Sequence, residues 1–506
     1  MSALSRPLAR TALSAGLLIT LLLPARAGRA ETVSPAEAVA AAIRGNPRYE
    51  AAVHDAAAAA HGAEAADRDR LPRLFANATG EYAESHSGQG DGVVLTDRQN
   101  ISGATGLRYT TPIGTDLEVG VESGASWRSS PITAATTDKV TIGPNYSGRV
   151  YGSIRQPLLQ GAGTDAVLAP LRQAESSRTI AERQRDEAAS QVITDVVSAY
   201  WELWYAQRAV DVQQQALALA DQQVEQTRLQ LEELGSASRV ELLQYATSRA
   251  SIAESLAIAE RTRAQQAVEL GRLMGRGPRQ ARGLVVGQEP PTPLPAPSEE
   301  RLYAIARAQS PRLAALEEQV RLAQLRVDAA DAQNLPRLDV YVTLGMSGLW
   351  APDDIPGLGL PADRPAMSAL AGLELELPLG PAPVAARLAQ ARSDLRAAQA
   401  RLADEENTVE AQVAALVIEL EASAKQLGLA THTAQLAAEL AAAEKAKLEL
   451  GSGTSAEVVR AQQSQRESEL RRLRAAVDQI TARARLDNQL GTLLTHYATA
   501  VSADDQ

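Results

Sequence analysis

One long stretch of the chain carries apolar residues at the spacing of helices that pack along a narrow seam. Five of them follow at intervals of seven: Leu388, Leu395, Leu402, Val409 and Leu416. A seven-residue repeat keeps one side of a helix against its neighbour. Residues 384–491 contain no proline, and Gly451-Ser452-Gly453 marks a turn. The pattern predicts a helical hairpin, 384–491, whose first arm would be about 100 Å long.

The chain contains this plan twice. Leu234-Gly235-Ser236 reappears 216 residues later as Leu450-Gly451-Ser452. Leu71-Pro72-Arg73-Leu74 reappears 264 residues later as Leu335-Pro336-Arg337-Leu338. Matched blocks at constant offsets indicate an internal duplication, so we expect a second long hairpin over 164–275.

Ahead of each long hairpin, the apolar period changes to two. Leu373, Leu375 and Leu377 alternate with Glu374 and Glu376. Similar alternation in the first half predicts strands over about 74–157, and in the second half over about 338–378, each with an apolar and a polar face. Polar, glycine-rich segments at 85–96, 129–145 and 347–364 are expected to be loops.

The strand region of the first half is longer than that of the second. The offset between matched residues falls from 264 to 217 across it, which corresponds to 47 additional residues. These residues are compatible with an extra hairpin around Thr111-Pro112-Ile113-Gly114. The sequence does not decide whether that hairpin joins the same sheet.

An amphipathic sheet has two interpretations in an exported protein. One is a soluble sandwich with its apolar faces inside. The other is a barrel with lipid on its apolar face and water on its polar face, because closure pairs every backbone group. Aromatic residues are enriched in the strand regions, as in the interfacial girdles of membrane barrels, which favours the barrel.

Composition and the N-terminus narrow the class of protein further. Residues 1–30 have the pattern of a secretory signal peptide, with Arg6 and Arg10 before an apolar run of about 12 residues. The net charge of −11 argues against nucleic-acid binding. The absence of cysteine excludes disulfides and thiolate chemistry.

Nothing in the sequence predicts an enzyme, a cofactor site or a metal site. The histidines, which do not form a constellation with a nucleophile or an acid, are His54, His61, His86, His432 and His496. His54 and His61 share a helix face but lack a third ligand nearby. The adjacent acids Glu317-Glu318 and Glu405-Glu406 are expected to face solvent.

The resulting plan has two repeats. The first is 31–288, the second is 298–495, and a stiff proline-rich linker, 289–297, joins them. Residues 496–506 form a C-terminal tail. The fold class is therefore α+β, with two tandem repeats that each combine strands with a long helical hairpin.

Several of these segments together resemble the TolC family of bacterial outer-membrane efflux proteins. They are the junction Gln156–Gly163, its counterpart 377–380, the two Leu-Gly-Ser turns, and the glycine that ends each return arm. The resemblance implies a homotrimer whose β-barrel lies in outer-membrane lipid and continues as a periplasmic α-helical barrel. It also implies an exit duct for efflux or type I secretion, joined by a periplasmic adaptor to an inner-membrane transporter.

The hairpin tips are the sites that this resemblance singles out. The residues expected at the periplasmic end, in contact with an adaptor, are Gly235, Ser236, Gly451, Ser452 and Gly453. The candidate pore constriction is formed by Glu241, Glu457 and Arg460.

The tip departs from gated members of the family, which carry two aspartates three residues apart. Glu457 and Arg460 stand at those positions, and Gly453 stands where a locking arginine would be. We expect Arg460 to pair with Glu457 and to weaken the constriction. Alternatively, Glu241 and Glu457 are merely solvated tip charges.

A periplasmic adaptor is the alternative function, because adaptors also carry a long helical hairpin. An adaptor would have one hairpin between two halves of a small β-domain. This chain has two hairpins.

Overall fold

The computed structural model describes residues 31–89, 92–132, 138–233, 237–291, 298–350, 366–377 and 383–497. The predicted signal peptide, Gly235, Ser236, most of the proline-rich linker and the end of the C-terminal tail lie outside these ranges. The helices are α1 (Pro35–Gly45), α2 (Pro47–Arg68), α3 (Thr164–Val167), α4 (Ala169–Glu232), α5 (Arg239–Leu273), α6 (Pro278–Ala281), α7 (Glu299–Gln309), α8 (Pro311–Gln333), α9 (Pro383–Glu449), α10 (Ser455–Gln489) and α11 (Leu493–His496). The strands are β1 (Glu31–Val33), β2 (Arg73–Gln89), β3 (Gly92–Thr110), β4 (Asp116–Pro131), β5 (Lys139–Pro157), β6 (Leu284–Val286), β7 (Arg337–Trp350) and β8 (Ala366–Glu376).

The two long hairpins are α4–α5 and α9–α10. Helix α9 has 67 residues and α4 has 64, so each is about 100 Å long. Helix α4 lies against both α5 and α10, and α10 lies against α9, which leaves α5 and α9 outermost. The predicted first arm begins later than expected, because a separate turn, α3, precedes α4.

The helices have two apolar cores, each centred on one half and built around equivalent residues; the first also includes Leu473 and Val477 of α10. In the first half the stripe on α4 is fully buried and consists of Val192, Val196, Tyr200 and Leu203. Its equivalents on α9, 217 residues later, are buried in the second core and consist of Val409, Val413, Val417 and Leu420. Trp201 and Trp204 are also buried, as packing anchors of the first core. The duplication in the sequence is therefore a duplication of packing.

The strands form one six-stranded antiparallel sheet with the order β2-β3-β4-β5-β7-β8. A separate two-stranded parallel sheet, β1–β6, lies against the first core. The segments expected to be loops at 85–96 and 129–145 are mostly strand, since β2 continues to Gln89 and β5 begins at Lys139. The polar side chains of these segments led to the loop prediction. The backbone hydrogen bonds that join neighbouring strands form whatever the polarity of the side chains.

The apolar face of the sheet is uncovered. Leu373 and Leu375 are 72% and 59% exposed, and their neighbours on β7, Val340 and Leu338, share that face. No second sheet lies over this face within the described ranges. The soluble sandwich is therefore wrong. None of the described helices combines the length and apolar character needed to cross a membrane.

Two acids expected to face solvent are buried. The Glu318 carboxylate accepts a hydrogen bond of 2.6 Å from Ser176 Oγ, and Glu405 pairs with Arg312 at 2.8 Å. Both contacts join helices that are distant in sequence, which the local pattern of charges does not reveal.

Candidate functional site

The second hairpin tip is closed by a glycine in the left-handed conformation. Gly451 has φ of 75°, and its N–H donates to the Leu448 carbonyl at 2.9 Å. The next N–H, that of Ser452, reaches back to the Lys447 carbonyl at 3.0 Å. This pair of bonds is the Schellman motif, which satisfies carbonyls at the end of α9.

Gly453 follows in a place that leaves no room for a side chain. A β-carbon built on it would lie 3.0 Å from the Leu448 backbone nitrogen and 3.2 Å from Lys447 Cβ. An arginine at this position would therefore require its neighbours in the turn to shift by a few tenths of an ångström.

Both candidate constriction acids cap the helices that follow their tips. Glu241 Oε2 accepts from the Ser238 backbone N–H at 2.8 Å, and Ser238 Oγ accepts from the Glu241 N–H at 3.1 Å. At the second tip, Thr454 N–H donates to Glu457 Oε2 at 3.0 Å, and the Glu457 N–H donates to Thr454 Oγ1 at 3.3 Å. These are capping boxes, in which two helix-end donors are satisfied reciprocally.

The cap also sets the charge of the second tip. The hydrogen bond from the Thr454 hydroxyl, at 2.9 Å, is the main cause that lowers the pKa of Glu457 below its ordinary value of 4.5. The Thr454 backbone N–H lowers it further, and the positive charges of Lys447 and Arg460 contribute least. The carboxylate is exposed and stays ionised well into the acid range.

Arg460 does not form the ion pair expected with Glu457 in the described part of the chain. Its side chain instead lines a groove of about 660 Å³ between α5 and α10, together with the exposed apolar side chains of Val240 and Leu243. Arg466 lies in the same groove, and partial burial lowers its pKa from the ordinary arginine value. The sequence did not single out Arg466, because nothing local distinguishes it from the other arginines of α10.

The two tips are joined to each other. Ser455 Oγ donates to Gln244 Oε1 at 3.0 Å across the first turns of α10 and α5. Beneath that contact, Val458 and Tyr245 are buried. The site residues of the two halves therefore belong to one surface at one end of the molecule.

A second polar cluster ties the two halves together where the sheet meets the helices. Arg155 Nη1 lies 3.0 Å from Asp339 Oδ2 and 2.7 Å from Glu374 Oε2, and Arg337 contacts the same Asp339 oxygen at 3.0 Å. The cluster lies on the polar face of β5, β7 and β8. It was not predicted, since its members lie 184 and 219 residues from Arg155 in sequence.

Comparison with known proteins agrees with this architecture. Residues 302–492 match the family model for outer membrane efflux proteins. The matched segment lies in the second of the two halves. No curated protein matches this chain by sequence.

Solved structures of outer-membrane channels share its fold over nearly the whole chain. The CmeC outer membrane channel of Campylobacter jejuni aligns with a TM-score of 0.67 at 12% identity, covering 92% of this chain and 89% of CmeC. VceC of Vibrio cholerae aligns with a TM-score of 0.64 at 17% identity, covering 90% and 96%. The open state of the MtrE channel of Neisseria gonorrhoeae gives 0.63 at 17% identity, covering 91% and 89%.

These solved neighbours are outer-membrane channels. The adaptor alternative is not supported, because the chain has two long hairpins and a six-stranded sheet with an uncovered apolar face.

Proposed function

We propose that three copies of this chain assemble into an outer-membrane exit duct that meets a periplasmic adaptor at its hairpin tips. The observation that supports this proposal most strongly is that an uncovered amphipathic sheet leads directly into two helical hairpins about 100 Å long. Lipid is the solvent that suits the apolar face of the sheet. The adaptor in turn connects the duct to an inner-membrane transporter.

The outermost helices support assembly into a trimer. Four exposed apolar residues on α9 fall within a narrow stripe at spacings of 11, 7 and 4: Ile418, Leu429, Leu436 and Leu440. Helix α5, at the opposite side of the hairpin layer, exposes Ile258 outside the groove that it forms with α10. Spacings of this kind keep a seam on one face of a helix. The α9 stripe of one copy therefore packs against the α5 side of the next.

Light scattering of the detergent-solubilised protein tests this assembly. The wild type is expected to have the mass of three chains. Replacing Leu436 and Leu440 together by Gln should shift the protein toward monomers, because it removes two of the four apolar side chains of the stripe. Leu450→Gln is the matched control, since Leu450 is exposed but lies outside the stripe. A wild-type protein that is a folded monomer would contradict the proposal.

The tips are the surface that we assign to the adaptor. Gly451, Ser452 and Gly453 form a short turn with exposed backbone, and Gly235 and Ser236 hold the matching sequence positions in the first half. The groove between α5 and α10 begins beside this turn. A helical hairpin of the adaptor fits such a groove through small and apolar side chains.

The acids at the tips line the opening in this proposal, with Arg460 set back in the groove. Glu457→Gln separates the two roles of Glu457, because glutamine keeps the capping box and removes the charge. Thr454→Ala does the reverse. If the carboxylate lines the pore, Glu457→Gln lowers the cation preference of single channels while Thr454→Ala leaves it. Equal cation selectivity in both variants and the wild type would show that Glu457 only caps α10. The variants Glu241→Gln and Ser238→Ala provide the same test at the first tip.

A further inference from the structure

Among the described residues, the first half has two more strands than the second in the six-stranded sheet. Helix α8 is connected to α9 by β7 and β8, whereas α2 is connected to α4 by β2, β3, β4 and β5. Arg73 at the start of β2 is equivalent to Arg337 at the start of β7, and β5, like β8, leads into the long arm. The hairpin β3–β4 is therefore the addition, inserted between strands that would otherwise be neighbours.

The added strands run the full height of the sheet. Their connecting turn lies at the helical end, where the Gly163 N–H donates to the Ile113 carbonyl at 3.1 Å and Thr115 Oγ1 donates to Gln156. At the opposite end, β3 pairs with β2 up to Gln89. Strands β3 and β4 have 19 and 16 residues, and a tilted strand needs about 9–11 to cross a bilayer.

The two faces of the sheet continue across the added strands. Leu107 and Val119, which are directly paired, are 53% and 60% exposed and share the apolar face with Leu373. On the other face, Arg108 and Glu118 form an ion pair at 2.8 Å, in line with the polar cluster around Arg155. An added hairpin that lay in water would not need an apolar face in register with its neighbours.

The duplication predicts how one copy meets the next. Within the chain, β5 pairs with β7 so that Ile154 lies opposite Val342. The equivalent strands at the two open edges are β8 and β2, whose outer edges have no strand partner among the described residues. At the strand–helix junction Pro157 matches Pro378, an offset of 221, while Val342 matches Ala78 at an offset of 264. Transferring the β5–β7 register with these offsets places Leu375 opposite Ala78 of the next copy, with Leu373 opposite Gly80. Apolar faces then meet apolar faces, and a large side chain lies beside a small one.

We propose that all six strands of each copy form the membrane wall, so that three copies close a barrel of 18 strands through β8–β2 pairing. The inference rests on the proposed trimeric duct and adds the width of its membrane part. Six strands per copy keep the seam antiparallel, as an even-numbered closed barrel requires. Barrel diameter grows roughly in proportion to strand number, so the added hairpins widen the lumen.

Spin labels on adjacent residues test whether β4 belongs to the wall. Single cysteines at Val121 and Glu122 are labelled in liposomes, with Val342 and Thr343 on β7 as the matched control pair. The Val121 label should be reached by oxygen and not by a water-soluble nickel chelate, as at Val342, and the Glu122 label should show the reverse. If both β4 labels are reached by nickel while the β7 pair alternates, the added hairpin lies outside the wall and the proposal fails.

A disulfide tests the seam separately. The chain has no cysteine, so a disulfide in the Ala78→Cys/Leu375→Cys variant joins copies only through this pair. Paired residues in antiparallel strands have Cα atoms about 4.5–5.5 Å apart, within the reach of a disulfide. The proposal predicts a covalent trimer on a denaturing gel, and much less with Gly80→Cys/Leu375→Cys, which is two residues out of register.

The outcomes of these experiments distinguish failure of the 18-stranded barrel from failure of the proposed duct function. A trimer that conducts ions, without a disulfide at the predicted pair, overturns the seam but leaves the duct. A monomer that neither conducts nor forms the disulfide overturns both.

Discussion

Gly491 lies against the backbone of Gln309, so close that a β-carbon on it would come within 2.3 Å of the Gln309 carbonyl oxygen. The first half repeats the contact at Gly275, where a β-carbon would come within 2.1 Å of the Gly45 carbonyl oxygen. Both glycines have positive φ and end a return arm. Each holds the end of its hairpin against the bend between the two short helices of its own half.

Replacing either glycine by alanine should therefore destabilise the protein. The backbone at 72° and 70° is strained for alanine, and the new methyl group meets main-chain atoms that cannot rotate away. We expect a loss of about 1–3 kcal/mol in unfolding free energy for Gly491→Ala or Gly275→Ala, measured by denaturant unfolding in detergent.

Gly62→Ala is the matched control. Gly62 lies inside α2, and nothing would approach its β-carbon within 4 Å. Alanine should stabilise the helix there by roughly 0.5–1 kcal/mol. If Gly491→Ala were as stable as the wild type, the close contact would not form in solution.

The two faces of β8 should respond differently to the same substitution. Leu373 lies on the apolar face, and Leu370, on the same strand, lies on the polar face opposite Thr343. Arginine facing lipid near the bilayer centre costs about 2–4 kcal/mol, against little on the lumen side. Leu373→Arg should therefore reduce the amount of folded trimer in outer membranes far more than Leu370→Arg. Similar losses in both variants would contradict a lipid-facing sheet.

The cap at the second tip should loosen in acid. The pKa of Glu457 is lowered in the folded protein, so its contribution to stability is complete above about 4.5, the ordinary value, and is lost as pH falls through the folded pKa. We expect amide protection at the start of α10 to decrease over that window, measured by hydrogen–deuterium exchange as protection factors.

Glu457→Gln is the control for this pH dependence. Glutamine keeps the hydrogen bonds and does not titrate between neutral and acid pH, so protection in this variant should stay level. If amide protection in the wild type changed with pH as little as in Glu457→Gln, the carboxylate would not stabilise the cap.

Much of the fold is readable from the sequence because its determinants are local and repeated. The seven-residue spacing of Leu388 and Val409 predicts the long helix, and both are buried on α9. The alternation around Leu375 predicts a strand with an apolar and a polar face, and β8 is such a strand. The constant offsets between matched sequence blocks predict two similar halves, and the structure has two cores built around equivalent residues.

What could not be read depends on contacts between distant parts of the chain. The pattern around Thr111 suggested an extra hairpin but not its place in the sheet, because strand order depends on pairing partners. Glu318 and Glu405 resemble solvated charges until helix packing brings Ser176 and Arg312 to them. The capping role of Glu457 can be predicted from the sequence, because Thr454 precedes it by three residues as in a capping box. The family resemblance indicates a pore-lining role for the same residue.

The claim that this chain forms a membrane-spanning duct is tested most directly by single-channel recording of the purified full-length protein in planar lipid bilayers. The account predicts discrete, ohmic conductance steps from the trimeric fraction, absent with Leu373→Arg protein and present with Leu370→Arg protein. A trimer that never conducts in such bilayers, or conductance from the monomeric fraction alone, would contradict it.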